Sequence, residues 1–495
     1  MHRSGCFTRR ATVAICSKRV ALQCSPFGSG RDSFVKAQSV KEAAGAFSNR
    51  QKVDLSPVRG TRDVFPEDHR LRSHLFEIWR NVSVLYGFEE YDAPVLENED
   101  LNIRKAGEDV SAQLYNFVDK GDRRVSLRPE MTPSLARMVL SRRKGLRLPI
   151  KWFSIPQCWR YERMTRGRRR EHYQWNLDIW GIETVEAEAE LLGACVDALK
   201  AMGLSSSDVG IKISSRKLLQ TLMQKHGIAD KDSTAVCLLI DKLDKVPVDA
   251  VSCSLAELGI SHDAIKGLLS DIQVQKRSSA SDLSALDFFD PQCLGVRDMK
   301  RLFELASAYG YEDWLVFDPC IVRGLSYYTG IVFEGFDREG ELRAIFGGGR
   351  YDNLLQSMSG SEQSSLPAVG FGFGDTVILE LHNSKQLLPD CAVKPAEIVV
   401  HAATMQSQKD AIRLAQALRD AGFITELILE DRKLKWVLSH ADKLRAPTVV
   451  LVDAPETAQV RDMLTGNQET VQSVVNIVHA VRSILSRHKP ETREE

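Results

Sequence analysis

No Cys-x-x-Cys pair occurs in the 495 residues; the ten cysteines stand singly, without the spacing that zinc ribbons and dithiol redox sites use. Scattered thiols in a chain large enough to bury a sizeable core fit a reducing compartment. No apolar run approaches the length of a membrane-spanning helix, so no membrane partner is expected. Net charge is missing as well: 66 Lys and Arg balance 66 Asp and Glu, and only local clusters can select a charged partner. Acidic residues are absent before Asp32. The segment from 1 to about 50 instead carries Arg3, Arg9, Arg10, Lys18, Arg19 and Arg31 among Ser, Ala, Val and Cys. Basic, Ser-containing and acid-poor is the composition of an organellar transit peptide, and the longer apolar core of a secretory signal is lacking. A disordered leader directing the chain to chloroplast, mitochondrion or both is expected; composition does not separate the two. The remainder exceeds one ordinary core and predicts two or three domains.

Globular patterning begins at Asp54. Leu71, Leu75, Ile78 and Val82 recur at helical spacing from about Glu67 to Tyr86, and Gly87 ends the helix. A strand, Phe88 to Tyr91, breaks at Pro94. Arg128, Glu130 and Thr132 then share one side of an extended segment before a helix opening at Thr132-Pro133. A carboxylate beside a hydroxyl at a helix start either holds an amine or caps the helix.

The stretch from Pro149 to Gly181 predicts strand, basic loop, strand. Alternation sets Arg160 and Glu162 on one face of the first strand, and Gln174, Asn176 and Asp178 on one face of the second. Between them stand Arg163, Arg166, Arg168, Arg169 and Arg170, five arginines in eight residues. Guanidinium forks match phosphate oxygens and neutralise charge that develops during attack at phosphorus. Residues from about 205 to 312 show helical periodicity at Arg216–His226, Thr234–Lys245, His262–Gln273 and Arg297–Ala308, interrupted by a Ser-rich stretch, Lys276 to Ser284.

A hairpin turning at Asp337 to Gly340 follows, flanked by Arg323-Gly324, Tyr327 and Tyr328 on one side and by Gly347-Gly348-Gly349-Arg350-Tyr351-Asp352 on the other. These side chains suit an anionic, partly aromatic ligand, or else a buried hairpin with a structural Arg–Asp pair. Gly370, Gly372 and Gly374 alternate through a further apolar strand that enters a helix. After a linker around Asn383–Lys394, strands EIVVHAA, ITELILE and TVVLVDA alternate with helices. The helices place Ala411, Leu414, Ala415 and Leu418, then Leu434, Val437, Leu438 and Ala441, on single faces, and a closing helix is expected from Val471 to Leu485. Arg432, Lys433, Lys435 and Trp436 interleave charge with an aromatic ring at one helix start, as single-stranded RNA contacts do and as plain solvated faces also do.

IVRGLSYYTGIVFE and FGGGRYDNLL closely resemble the signature of histidyl-tRNA synthetases, in the style of the plant organellar members. The helix and strand before Pro94, the WRYER strand with its loop and return, and VGFGFGDTV resemble motifs 1, 2 and 3 of class II synthetases. The resemblance implies an α+β fold: an antiparallel sheet flanked by helices over 54–385, a helical insertion at about 205–312, and a C-terminal α/β anticodon-binding domain at 395–488. It also implies a homodimer. The activity implied is ligation of histidine to histidine tRNA through histidyl-adenylate, with ATP as substrate and Mg2+ expected. Position by position, Glu130, Thr132, Gln174, Asp178, Tyr328 and Tyr351 would bind histidine, with Asp178 and Tyr328 facing the imidazole. Arg160, Glu162, Arg168 and Arg323 would bind ATP, and Arg160, Arg323 and Gln174 would form the catalytic set. Arg166, Arg169, Arg432, Lys433 and Lys435 would contact tRNA. Three positions depart from the family pattern: Ser326 replaces an acid, His172 stands where a stacking Phe is common, and Val377 replaces the motif 3 arginine that stacks on adenine. A non-catalytic histidine sensor, similar to the regulatory subunit of ATP phosphoribosyltransferase, is the rival; the Arg160/Arg323 pair and the C-terminal domain speak against it.

Overall fold

The computed structural model describes residues 54–103, 112–165, 167–243, 246–277, 283–323, 327–388 and 396–488. The leader, Arg166, Gly324, Ser326 and most of the linker before 396 lie outside the described residues. Met1–Pro57 form one unit, in whose described part Asp54 accepts from the Ser56 amide at 2.9 Å. The second unit runs from Val58 onward.

Helix α1 (Pro66–Leu85) starts on a proline with Glu67 and Asp68 in its first turn, both favourable to a helix N-terminus. It buries Leu75, Trp79 and Val82, and Trp79 stacks on Trp175 at 5.8 Å. Strand β1 (Glu89–Glu90) is followed by a small sheet of β2 (Leu96–Asn98), β3 (Asn116–Val118) and β4 (Arg124–Leu127), in order β2-β4-β3, with helix α2 (Glu99–Ile103) beside it. Then come α3 (Thr132–Arg142), β5 (Ile150–Ser154), β6 (Gln157–Trp159), β7 (Glu171–Trp180), α4 (Glu186–Ala201) and β8 (Val209–Ser215). Five helices follow: α5 (Arg216–Lys225), α6 (Ser233–Ile240), α7 (Val248–Glu257), α8 (His262–Arg277) and α9 (Leu294–Tyr309). The chain returns through β9 (Leu315–Phe317), β10 (Ile331–Asp337), β11 (Phe346–Arg350), α10 (Leu354–Ser359), β12 (Ala368–Gly374) and α11 (Asp375–Ser384).

Among the described residues these strands build a nine-stranded sheet in the order β1-β5-β7-β12-β11-β10-β8-β9, with β6 beside β7. Pairing is antiparallel except at β1/β5 and β8/β9. One face carries Trp175, Leu177, Phe371 and Phe373, opposed in register across β7 and β12, and it is covered by α1 and α4 in the main apolar core. Burying such large rings supplies most of the sheet's stabilisation. The other face is left for polar side chains. Arg350 clamps the hairpin strand to α4: it donates to both oxygens of buried Glu188 and to the carbonyls of Ile182 and Thr184, and pairs with Asp352 at 3.2 Å. The structural Arg–Asp pair is therefore present, and Arg350 points away from the polar face.

Four expectations change. The strand through Arg160 and Glu162 ends at Trp159, because the Glu162 amide turns back to the Arg160 carbonyl. The stretch from about 205 opens with β8, a central strand buried on both faces and hence without alternation, and includes the unforeseen α7. From 396 onward, β13 (Ile398–Ala402), α12 (Gln408–Asp420), β14 (Thr425–Leu427), α13 (Leu434–Lys443) and β15 (Thr448–Ala454) form the expected parallel unit. To it β16 (Thr457–Asp462) and β17 (Gln468–Gln472) add an antiparallel hairpin, so the closing helix α14 (Val474–His488) starts after Val471, which belongs to β17. Leu434, placed with the apolar face of α13, is exposed at the helix start; Val437 and Ala441 are buried.

Candidate active site

The polar face is floored by glycine. Gly349 and Gly347 of β11 pair with Gly370 and Gly372 of β12, which pair in turn with Asp178 and Asn176 of β7. A Cβ at Gly370 would collide with Asp178 Oδ1 and lie 2.6 Å from the Tyr351 hydroxyl. One at Gly372 would strike the Gln174 amide, and one at Gly347 the Arg323 guanidinium. Missing side chains thus create the volume in which Asp178, Gln174 and Arg323 lie over bare backbone.

Asp178 is buried, and Tyr351 donates to its Oδ1, while Oδ2 has no partner among the described residues. Burial pushes this carboxyl up to about 7, against the Tyr351 bond and aided by the charge of Glu130. Gln174 Oε1 is likewise buried without a partner. Glu130, at the start of α3, accepts from Tyr327 at 3.3 Å; burial raises its pKa, opposed by Arg160, Tyr327 and Arg323. Thr132 is half-buried two residues further on, also within reach of Tyr327. Tyr327, Tyr328 and Tyr351 form one aromatic wall, with ring centroids 4.9 to 6.4 Å apart.

Cations stand opposite. Arg160 is held by the Pro129 carbonyl at 3.0 Å. Arg323 adopts φ 60°, its carbonyl accepts from Arg216 at 2.8 Å, and its guanidinium pairs with Glu334, which β10 presents on the glycine side. Arg168 pairs with Glu162. His172, opposite Cys158 in the β6–β7 pair, is pushed down to about 3 by burial and by Arg160, so it is neutral at physiological pH. The loop tip closes on α11, where a Cβ at Gly167 would rest 3.5 Å from Val377. Among the described residues no three His, Cys, Asp or Glu side chains converge to hold a metal.

Of the residues expected from sequence, Glu130, Thr132, Arg160, Gln174, Asp178, Arg323, Tyr328 and Tyr351 gather around this face, with the Glu162–Arg168 pair on its loop side. Arg169 turns elsewhere, lining a cavity of about 190 Å3 with Arg62, Arg72 and Glu380. Arg166 lies outside the described residues. In the C-terminal sheet region Arg432 sits 5.0 Å over the Trp436 ring, which stacks on His440 at 4.8 Å; Lys433 and Lys435 are exposed beside them. Sequence reasoning noted Tyr327 without giving it a role, and missed Glu334 and the glycine floor. Alternation from Val332 could have found Glu334; the floor depends on a register that no single strand reveals.

A buried carboxyl raised to about 7 is protonated below that pH in the ligand-free fold and ionises at a cost above it. The stability it contributes is full below the unfolded value of about 3.9 and is lost as pH rises through about 7. Asp178→Asn should therefore gain Tm relative to the unaltered protein between pH 5 and pH 8, in thermal melts without ligand. A gap that stays constant over that range would show that Asp178 is ionised throughout.

The chain matches the histidyl-tRNA synthetase family over residues 60–374 and the anticodon binding domain family over residues 397–483. It is 49% identical over 449 residues, 90% of each chain, to the chloroplastic/mitochondrial histidine--tRNA ligase of Arabidopsis thaliana. It is 36% identical over 427 residues to the histidine--tRNA ligase of Leptospira biflexa, covering 85% of this chain and 96% of that one. The crystal structure of histidyl-tRNA synthetase from Nostoc sp. PCC 7120 superimposes with TM-score 0.68 at 22% identity, covering 87% of this chain and all of that one, which bears on the fold.

Proposed function

The chain belongs to the histidyl-tRNA synthetase family, and on that premise we propose how its residues divide the charging of a tRNA with histidine. It is a class II aminoacyl-tRNA synthetase, a histidine--tRNA ligase that takes ATP as a substrate. In our reading Glu130, Thr132 and Gln174 hold the substrate amine, and Asp178, Tyr328 and Tyr351 surround the imidazole, which needs partners for both ring nitrogens. Arg160 and Arg323 draw the histidine carboxylate and the α-phosphate together, Arg168 takes the outer phosphates, and Glu162, paired with Arg168, completes the ATP site. The carboxylate attacks phosphorus and pyrophosphate leaves; the terminal ribose hydroxyl of tRNA then attacks the adenylate and AMP leaves. No side-chain nucleophile is needed, so catalysis is positioning plus charge stabilisation. Mg2+, where bound with ATP, would neutralise charge on the triphosphate.

The observation that carries this reading is the buried, unpartnered Asp178 Oδ2 on a glycine-floored face that two guanidiniums border. Histidine-dependent exchange of pyrophosphate into ATP, with charging of histidine tRNA, tests it; exchange supported equally by other amino acids, or by none, would overturn it.

We further read 54–385 as the catalytic part, with its helical insertion at about 205–312, and 395–488 as the anticodon-binding part. Within the latter, the Arg432–Trp436–His440 stack with Lys433 and Lys435 supports an RNA face, and Arg166 and Arg169 would meet the acceptor end. Exposed Val84 and Leu85 on α1 and Phe117 and Val118 on β3 support a homodimer through motif 1. The acid-poor leader and the organellar Arabidopsis relative support a plant-type enzyme of chloroplast or mitochondrion. Deleting residues from 395 onward should leave pyrophosphate exchange within about threefold and lower tRNA charging at least about tenfold, since losing an RNA surface removes binding and not chemistry. A folded truncated dimer that charged tRNA normally would refute the anticodon assignment.

A further inference from the structure

Four tyrosines, Tyr91, Tyr327, Tyr328 and Tyr351, pack into the apolar cluster beneath the Asp178 pocket. Three of their hydroxyls are engaged: Tyr351 on Asp178, Tyr327 on Glu130, and Tyr328 with Tyr327. The hydroxyl of Tyr91 is buried and has no hydrogen-bond partner among the described residues. Its direction follows from the sheet. Glu89 pairs in parallel with Trp152, and Trp152 pairs with Asp178, so all three point to one face. Tyr91, two residues beyond Glu89, points to that face too, continues the strand with its amide on the Phe153 carbonyl at 2.9 Å, and packs its ring 5.7 Å from Trp152. Two strand spacings and an offset of two residues, about 12 Å of backbone separation, lie between Tyr91 and Asp178, because Tyr91 is level with Ser154 and Asn176. The long phenol reaches into that gap, and Asp178 is the charged group that most raises the Tyr91 pKa after burial itself.

Two polar atoms without partners therefore stand on one face: an acceptor, Asp178 Oδ2, and a hydroxyl, Tyr91 Oη. A neutral imidazole offers the complement, one N–H and one bare nitrogen. We infer that Tyr91 is a specificity-determining residue of the histidine pocket, its hydroxyl donating to the ring nitrogen that Asp178 does not take, while Tyr328 lines the ring. The inference rests on the reading of Asp178 as the imidazole acceptor.

Tyr91→Phe removes one oxygen and keeps the ring. An orphaned hydroxyl is a burden without ligand, so the variant should melt at the same or a higher temperature than the unaltered protein. Its KM for histidine in pyrophosphate exchange should rise roughly three- to tenfold, the worth of one hydrogen bond, with KM for ATP unchanged. The histidine-induced rise in Tm should shrink in step. Histidine KM within twofold of the unaltered protein would overturn the inference, and so would a lowered Tm with both KM values raised, which makes Tyr91 structural. Asp178→Asn run in parallel separates the two failures. If it too leaves histidine KM unmoved, the pocket assignment falls; if it alone raises it, only the role of Tyr91 falls.

Discussion

Arg323→Ala should slow histidine-dependent pyrophosphate exchange by about a hundred- to a thousandfold, the usual worth of one preorganised group at a developing charge. Three features hold this guanidinium before substrate arrives. Its residue sits at φ 60°, a costly conformation for a residue with a side chain, which the Arg216 bond to its carbonyl helps to maintain. Glu334 anchors one nitrogen, and Gly347 leaves the space in which the planar group lies. With Val377 in place of a motif 3 arginine, fewer cations share the charge, so the loss should fall toward the upper end of that range. It should appear in kcat of adenylation, with transfer from preformed adenylate far less affected. Arg323→Lys should rescue little, because an ammonium cannot reproduce the fork. Removing Arg323 also frees Glu334, so the double variant Arg323→Ala/Glu334→Gln is the control: recovery there would trace the loss to an unpaired carboxylate. A folded Arg323→Ala enzyme within about tenfold of normal exchange would sink the assignment.

Gly370→Ala should be nearly as damaging, by a different route. The added methyl meets Asp178 Oδ1 and the Tyr351 hydroxyl, two buried groups bonded to each other that have nowhere to retreat. One or both must shift, and a displacement of about 1 Å in a positioning group costs on the order of a hundredfold. That loss should fall on kcat/KM for histidine, with KM for ATP within about threefold, since Gly370 lies under the carboxylate and not under Arg323. Steady-state exchange at varied histidine and varied ATP distinguishes the two. Equal damage to both substrates would mean that the strand itself had moved.

Much of this site could be read from the chain, for a physical reason. Gln174, Asn176 and Asp178 lie on one long strand, and alternation there reports a face directly. Arg323, Tyr328 and Tyr351 were legible through their resemblance to a family signature. What stayed hidden depends on partners. Strand β8 is buried on both sides, so it has no polar phase and vanishes among helical neighbours. Strand β16 alternates buried and half-buried residues cleanly, whereas its partner β17 is almost wholly exposed, and one visible strand does not make a hairpin. Arg160 was placed on a strand that turns away one residue earlier. Tyr91 follows a strand of two residues, too short for any pattern, and its facing emerges only when β1 docks on β5.

The order of strands also fixes when the pocket can exist. Asp178 and the hydroxyl that touches it are 173 residues apart in the chain, and β12 must slide between β7 and β11 before the floor is laid. A ribosome adding about 5–20 residues per second needs roughly ten to thirty seconds to bridge that interval. Through that time the edge of β7 that will receive β12 has no strand to pair with. Histidine cannot assist folding early, because no half-formed version of the pocket offers it both a wall and a floor. The five strands from β13 to β17, paired within a short span of chain, carry no such delay.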